Sequence, residues 1–291
     1  MWPLEQISRL ERAEALDGPA AAIRTRVRKL LSDRRVEDAL HGVWLGHPVH
    51  PVLVQATLGT LVSASLIDAV GGRRRTSTGL IATGLLLAPP TVATGWTDWS
   101  TSNPDQQRVG LVHAATNAVA ISCYAGSLVQ RARGRSGRLL SLAGAAVSAV
   151  GATLGGHLAY HQSLGPNHAD RVRDLAPHDW RSLGALTDLP DGTPVRREAG
   201  DVPVFVLRRG SEVTALSDSC PHLAAPLSEG EVIGSDGDRR VVCPWHGSEF
   251  RLDDGCVVHG PATAAVPRFE ARVVDGDVQA RIVESAGAPT L

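Results

Sequence analysis

Residues 220–250 have the sequence CPHLAAPLSEGEVIGSDGDRRVVCPWHGSEF, which indicates the fold of the C-terminal part of the chain. It contains two Cys-and-His pairs, Cys220 with His222 and Cys243 with His246, separated by 20 residues. Thiolate and imidazole groups suit soft and borderline metals, so two such pairs on separate loops supply four ligands for one centre. The residue types allow an iron–sulfur cluster or a Cys2His2 zinc site, and the C-x-H spacing is awkward for zinc.

The residues around this stretch predict a small antiparallel β domain. Short Val-containing runs alternate with turn residues, and the runs are Val202–Leu207, Val213–Leu216, Arg239–Val242, Arg268–Val274 and Val278–Ile282. Asp-Gly dipeptides occupy the turn positions, at 191–192, 236–237, 254–255 and 275–276. Such runs, bounded by Gly, Asp and Pro, are typical of strands joined by tight turns. Residues 235–238 are expected to form a hairpin tip.

The pattern C-x-H followed by C-x-x-H resembles the Rieske domain family over roughly residues 180–284. Flanking landmarks of the family occur in the same order, namely Pro226-Leu227, Gly230, Phe250 and Asp254-Gly255. Gly260-Pro261-Ala262 lies at the position where the family has its cluster-covering proline loop. The resemblance implies a 2Fe-2S cluster with divided ligation. Cys220 and Cys243 would hold one iron as thiolates, and His222 and His246 would hold the other.

The loop residues indicate which kind of Rieske domain this is. Rieske proteins of quinol-oxidising complexes usually carry an extra Cys in each cluster loop, joined as a disulfide. Here Ala224 and Ala225 follow His222, and Trp245 stands in the second loop. The domain therefore resembles the ferredoxin-like Rieske modules of oxygenase systems. Ser248 could donate a hydrogen bond to a cluster sulfur, and the expected reduction potential is intermediate to low.

Four long apolar stretches precede the β domain. They are free of charged residues over most of their length, and they are Val52–Val70, Thr78–Trp96, Val109–Gln130 and Leu139–Tyr160. About twenty helical residues span the ~30 Å hydrocarbon core of a bilayer. We predict four transmembrane helices, and the alternative is a set of buried core helices. The protein is accordingly expected to be a multi-pass protein of the cell membrane, in contact with membrane lipid.

Composition and charge limit the function classes. The chain has 291 residues, with 29 Lys and Arg against 30 Asp and Glu, so it lacks the basic excess of a nucleic-acid binder. Its four cysteines are too few for a disulfide framework. The fold class is multidomain α plus β. The predicted parts are a polar amphipathic segment at 1–45, a four-helix transmembrane domain at 46–162, a linker at 163–179, the Rieske domain at 180–284 and a tail at 285–291.

Two signals on membrane orientation oppose each other. The first and third loops carry seven arginines, Arg131 among them, and the positive-inside rule places those loops in the cytoplasm and both termini outside. An iron–sulfur cluster, in contrast, is normally inserted in the cytoplasm. Both orientations stay open.

Several histidines fall near one end of the predicted bundle. They are His41, His47, His50, His113, His157 and His161. Gly46-His47-Pro48-Val49-His50-Pro51 resembles the start of an uncharacterised family of four-helix bacterial membrane domains. His50, His113 and His157 are candidates for binding haem b or a quinone, because ionisable groups within a membrane often mark functional sites. The alternative is that they bond to backbone carbonyls or lie in the interface.

The function expected from these features is a membrane-anchored Rieske protein that carries single electrons. Its partners would be a reductase or an oxygenase and a membrane or soluble acceptor. The alternatives are a non-enzymatic redox sensor and the anchored ferredoxin component of an oxygenase system. The sequence shows no self-contained catalytic site, and enzyme status stays open.

Overall fold

A computed structural model describes residues 2–235 and 237–283, which divide into two compact units. The helical unit combines the residues up to His41 with Pro48–Gly165, and the β unit combines Gly42–His47 with the residues from Pro166 on. The predicted turn at Asp236 and the predicted tail at 285–291 lie outside the described residues.

The helical unit begins with three shorter helices and continues with four long ones. The short helices are α1 (Trp2–Glu11), α2 (Asp17–Leu30) and α3 (Arg34–His41). The long helices are α4 (His50–Ala69), α5 (Arg74–Ser100), α6 (Pro104–Ala132) and α7 (Arg138–Gly156), and α7 ends in a π turn, His157–His161. The four long helices are apolar enough to be candidate membrane-spanning helices, as the sequence predicts.

The long helices form two similar pairs. The buried positions of α5 recur in α7 at a constant offset along the chain, with Ile81, Gly84, Ala88, Thr91, Thr94 and Thr97 matching Ser141, Gly144, Ser148, Gly151, Leu154 and His157. The buried positions of α4 recur in α6 in the same way, with Thr57, Leu61, Ala64 and Asp68 matching Ala120, Tyr124, Ser127 and Arg131. The bundle is therefore an internal repeat, α4–α5 followed by α6–α7.

A buried ion pair joins two matching positions of this repeat. Asp68 accepts a hydrogen bond from Arg131, and both side chains are almost fully buried. Arg131 also donates to Ser77 Oγ at 2.6 Å. The assignment of Arg131 to a loop is wrong, because it lies in the last turn of α6, where Asp68 offers it a buried carboxylate.

The described residues of the β unit form one short α-helix, α8 (Val172–Leu175), and two antiparallel sheets. The larger sheet has the order β1-β10-β9-β4-β3-β2, from Arg181–Ala185 (β1), Val195–Ala199 (β2), Val202–Arg209 (β3), Glu212–Ser217 (β4), Arg268–Val274 (β9) and Asp277–Ile282 (β10). The smaller sheet has the order β5-β6-β7-β8, from Glu231–Ile233, Arg240–Val242, Glu249–Arg251 and Val257–His259. The five predicted runs correspond to β3, β4, β6, β9 and β10.

A shared core links the sheets and supports the loops that carry the Cys-and-His pairs. Phe205 and Leu216 of the larger sheet pack in one cluster with Val241 and Phe250 of the smaller one. Cys220 and Cys243 belong to the same cluster, together with Leu227, Leu252 and Val266. The two thiols are therefore held at the edge of a close-packed interior.

Candidate metal centre

Each Cys-and-His pair lies on a loop closed by backbone hydrogen bonds. The first loop follows β4, and the Cys220 N–H donates to the Ala225 carbonyl at 2.9 Å. The second loop joins β6 to β7, and the Cys243 N–H donates to the Ser248 carbonyl at 2.8 Å. Gly247 has a φ of 77°, a left-handed conformation that glycine adopts without strain. Both loops are thus fixed by their own backbones.

The two thiols are buried next to each other. Cys220 is 0% and Cys243 3% exposed. The Cys220 thiol donates to the Cys243 sulfur, and this hydrogen bond lowers the pKa of Cys243 to about 6. The same hydrogen bond, together with burial, raises the pKa of Cys220. The two sulfurs therefore lie close enough together to bind one metal ion.

Backbone amides surround both sulfurs. The N–H groups of His222 and Leu223 donate to the Cys220 sulfur, and those of Trp245 and His246 donate to the Cys243 sulfur. Hydrogen bonds to an anion are stronger than hydrogen bonds between neutral groups. These amides therefore stabilise thiolates, and through them a negatively charged cluster.

The imidazoles of the two loops lie close together. The Nδ1 atoms of His222 and His246 are 3.2 Å apart, and the ring planes are nearly perpendicular, at 88°. Two nitrogens bound to one tetrahedral metal at about 2.0–2.1 Å would be roughly 3.3 Å apart. The separation therefore fits binding of both Nδ1 atoms to one metal. Two sulfurs and two nitrogens fit the divided ligation of a Rieske cluster.

Two further polar residues support the loops. The Ser248 hydroxyl oxygen accepts from the Ala262 N–H at 2.9 Å, and its own proton remains available for donation. Asp218 accepts from the N–H of Ser228 at 2.6 Å and from its hydroxyl at 2.9 Å. Burial raises the pKa of Asp218. Sequence reasoning missed Asp218 and Ser228, whose pairing depends on the closed shape of the first loop.

The three candidate histidines of the helical unit, His50, His113 and His157, do not all make the same kind of contact. His50 Nδ1 lies 2.9 Å from the Thr91 carbonyl oxygen, and His113 Nδ1 lies 2.9 Å from the Gly151 carbonyl oxygen. These contacts match in the two halves of the repeat, and they agree with the alternative of bonding to backbone carbonyls. His157 contacts Glu11 instead. Binding of haem b or quinone by these histidines stays a prediction.

Comparison with known proteins identifies both parts of the chain. Residues 179–270 match the family described as the Rieske [2Fe-2S] domain, and residues 46–167 match the family described as predicted membrane protein (DUF2231). The anthranilate 1,2-dioxygenase ferredoxin subunit of Burkholderia cepacia is 36% identical over 104 residues, which cover 36% of this chain and 93% of that protein.

Two other relatives are similar over stretches of comparable length. Ferredoxin CarAc of Metapseudomonas resinovorans is 37% identical over 101 residues, covering 34% of this chain and 90% of that protein. The cytochrome b6-f complex iron-sulfur subunit of Chlorobaculum thiosulfatiphilum is 28% identical over 106 residues, covering 36% of this chain and 55% of that protein. These similarities support a 2Fe-2S cluster and an electron-carrier role. Through residues 179–270, the chain belongs to the Rieske [2Fe-2S] domain family.

Proposed function

We propose that the protein is a membrane-anchored Rieske-type electron carrier. It passes single electrons between a redox protein partner, a reductase or an oxygenase, and a membrane or soluble acceptor. The observation that carries the proposal is that two buried, amide-bonded thiols are hydrogen-bonded to each other while the Nδ1 atoms of the two imidazoles on the same loops lie 3.2 Å apart. The similarity to two ferredoxins supports it.

The four side chains take the roles that the resemblance implies. Cys220 and Cys243 bind one iron as thiolates, and His222 and His246 bind the other through Nδ1. The cluster supplies a one-electron couple whose potential is raised when neutral imidazoles replace two anionic thiolates. The protein keeps the sulfurs out of water and stabilises their charge with backbone amides. The partly exposed imidazoles form the side at which electrons enter and leave.

The surface of the β unit favours a protein partner. Residues 161–291 hold 13 basic and 20 acidic side chains, so this part of the chain attracts a basic partner. Trp245 is 56% exposed and adjoins the ligand His246 in sequence. Exposed aromatic side chains are common at the centres of protein interfaces. We place the docking site for the redox partner around Trp245.

The four long helices anchor this carrier in the membrane. Each is apolar and at least 19 residues long, with its few charged residues near its ends. Fewer than a third of the residues in each span are buried within the chain, so these apolar helices leave much of their surface for lipid. The match of residues 46–167 to a predicted membrane protein family supports this anchoring.

Spectroscopy of the full chain tests the proposal. The protein is extracted from membranes in mild detergent, reduced with dithionite and studied by EPR and metal analysis. We expect a Rieske-type signal and two irons per chain, lost in Cys220→Ser and kept in the matched control Cys256→Ser. Zinc in place of iron would contradict the cluster assignment, and release by alkaline carbonate would contradict anchoring. Sharp bands of reduced haem in the same sample would support a haem at His50, His113 or His157.

A further inference from the structure

A second group of metal-ligating side chains lies in the helical unit, apart from the Cys-and-His pairs. Glu11, His157 and His161 each offer one ligand atom, and these three atoms all lie within 4.8 Å of one another. The Glu11 Oε1 to His157 Nε2 distance is 2.8 Å. His157 is buried, Glu11 is half-buried and His161 is exposed, so the group opens on one side.

The fold fixes the carboxylate in this group. Glu11 is the last residue of α1, and its carbonyl oxygen accepts from Arg108 Nη1 at 2.7 Å. One turn earlier, Ile7 packs with Val109 and Leu154 in a small buried cluster. The end of α1 is therefore attached to α6 and α7 by an apolar contact and by a charged hydrogen bond.

The π turn brings the two imidazoles together. The Gln162 N–H donates to the His157 carbonyl at 3.0 Å, which makes a turn one residue wider than that of an α-helix. His157 and His161 project from the same side of this turn, and their ring centroids are 4.4 Å apart. Such wide turns often occur at functional sites.

The internal repeat indicates that packing alone does not require an imidazole here. Thr97 occupies the position in α5 that matches His157, and it is also buried. Its hydroxyl donates to the Ala93 carbonyl of its own helix, whereas His157 contacts Glu11 of α1. An ion pair between Glu11 and His157 alone would also leave the stacked His161 without a role.

We propose that Glu11, His157 and His161 bind a divalent first-row transition metal such as Zn2+ or Fe2+. Two imidazole nitrogens and one carboxylate oxygen are a common ligand set for these ions, and they leave coordination positions open for water or a small ligand. On binding, the ion replaces the hydrogen bond between Glu11 and His157. This site is independent of the cluster and goes beyond the electron-carrier function.

Zinc binding by the full chain tests the site. Detergent-solubilised protein is first treated with a chelator that leaves the cluster EPR signal intact, and is then dialysed against Zn2+ and analysed for metal. We expect one zinc per chain in addition to the two cluster irons. His161→Ala keeps the contact between Glu11 and His157, and it should lower the zinc affinity at least 10-fold. Glu11→Gln should also lower the zinc affinity at least 10-fold, whereas the matched control Glu14→Gln should bind zinc like the wild type.

Two further results decide the proposal. Circular dichroism and the cluster signal should be unchanged in His161→Ala, so a lost zinc site would not reflect a lost fold. Unchanged zinc affinity in both His161→Ala and Glu11→Gln would overturn the proposal and leave an ion pair that only holds α1 in place. The cluster signal in the same samples reports separately on the electron-carrier function.

Discussion

The two units bring polar side chains together in different ways. In the β unit, the thiols and imidazoles come from two short loops, and neighbouring backbone amides complete the site. In the helical unit, partners are far apart in sequence, as with Asp68 and Arg131 or Glu11 and His157. The first arrangement depends on local backbone shape, and the second depends on how helices pack.

This difference determines what a substitution does. A site made by loops loses its ligand when one side chain changes, while the surrounding sheets keep their own core. A pair between helices is also part of the packing, so its loss leaves a polar group in an apolar interior. Substitutions in the helical unit should therefore affect stability, and substitutions near the cluster should affect redox properties.

The largest stability effect is expected for Asp68→Ala. This change leaves the Arg131 guanidinium buried without its carboxylate, and losing one partner of a buried ion pair costs about 3–5 kcal/mol. Unfolding in detergent with increasing SDS, followed by circular dichroism, measures the loss. The EPR signal of the cluster should persist at SDS concentrations that unfold the helices.

A double variant separates charge from packing at this position. Asp68→Leu combined with Arg131→Met removes both charges and keeps apolar volume, so it should recover most of the lost stability. If the double variant were as unstable as Asp68→Ala, the explanation by an unpaired charge would be wrong.

A smaller effect is expected for Gly144→Ala in α7. A Cβ at this position would lie 2.8 Å from Cε2 of the buried Tyr124, and overpacking of this kind costs about 1–3 kcal/mol. Gly79→Ala in α5 is the matched control, because a Cβ there meets no atom within 4 Å. The control should be unchanged or more stable by about 0.5–1 kcal/mol. Equal losses in both variants would show that this close approach of helices does not limit stability.

The same contrast explains how far the sequence predicts the structure. The run Arg268–Val274 coincides with β9, because turn residues mark both of its ends. Helix α5 (Arg74–Ser100) is longer than the predicted span Thr78–Trp96, because polar residues at both ends of the apolar stretch continue the helix. The ligand motif can be recognised in the sequence, because each Cys-and-His pair lies within one short loop that fixes its spacing.

Features that depend on packing between helices leave no such local signal. The partner of Arg131 could not be chosen from the sequence, because Asp68 becomes its neighbour only when the four long helices assemble. The contact of Glu11 with His157 likewise requires α1 to fold back on the bundle. The repeat of buried positions was also missed, since it is a pattern of burial more than of residue identity.

A modest effect is expected for Ser248→Ala in the second cluster loop. The change removes the acceptor of the buried Ala262 N–H, which costs about 1–2 kcal/mol. It also removes a hydroxyl that can donate to the cluster, so we expect the reduction potential to fall in an EPR-monitored redox titration. Ser182→Ala, at an exposed position of the larger sheet, should change neither quantity. An unchanged potential in Ser248→Ala would show that the hydroxyl serves the loop alone.

The smallest effect is expected for Asp17→Asn at the start of α2. The hydrogen bond from Arg108, at 2.7 Å, holds the pKa of the Asp17 carboxyl below its ordinary value of 3.8. A depressed folded-state pKa adds stability at pH values above the unfolded pKa, and this contribution is lost as pH falls through the folded pKa. The variant should therefore be slightly less stable than the wild type at neutral pH, and the difference should shrink below about pH 4. SDS unfolding at several pH values measures this difference in stability, and Asp105→Asn serves as the comparison. A difference that stays constant with pH would show that Asp17 acts by capping α2 and not through its charge.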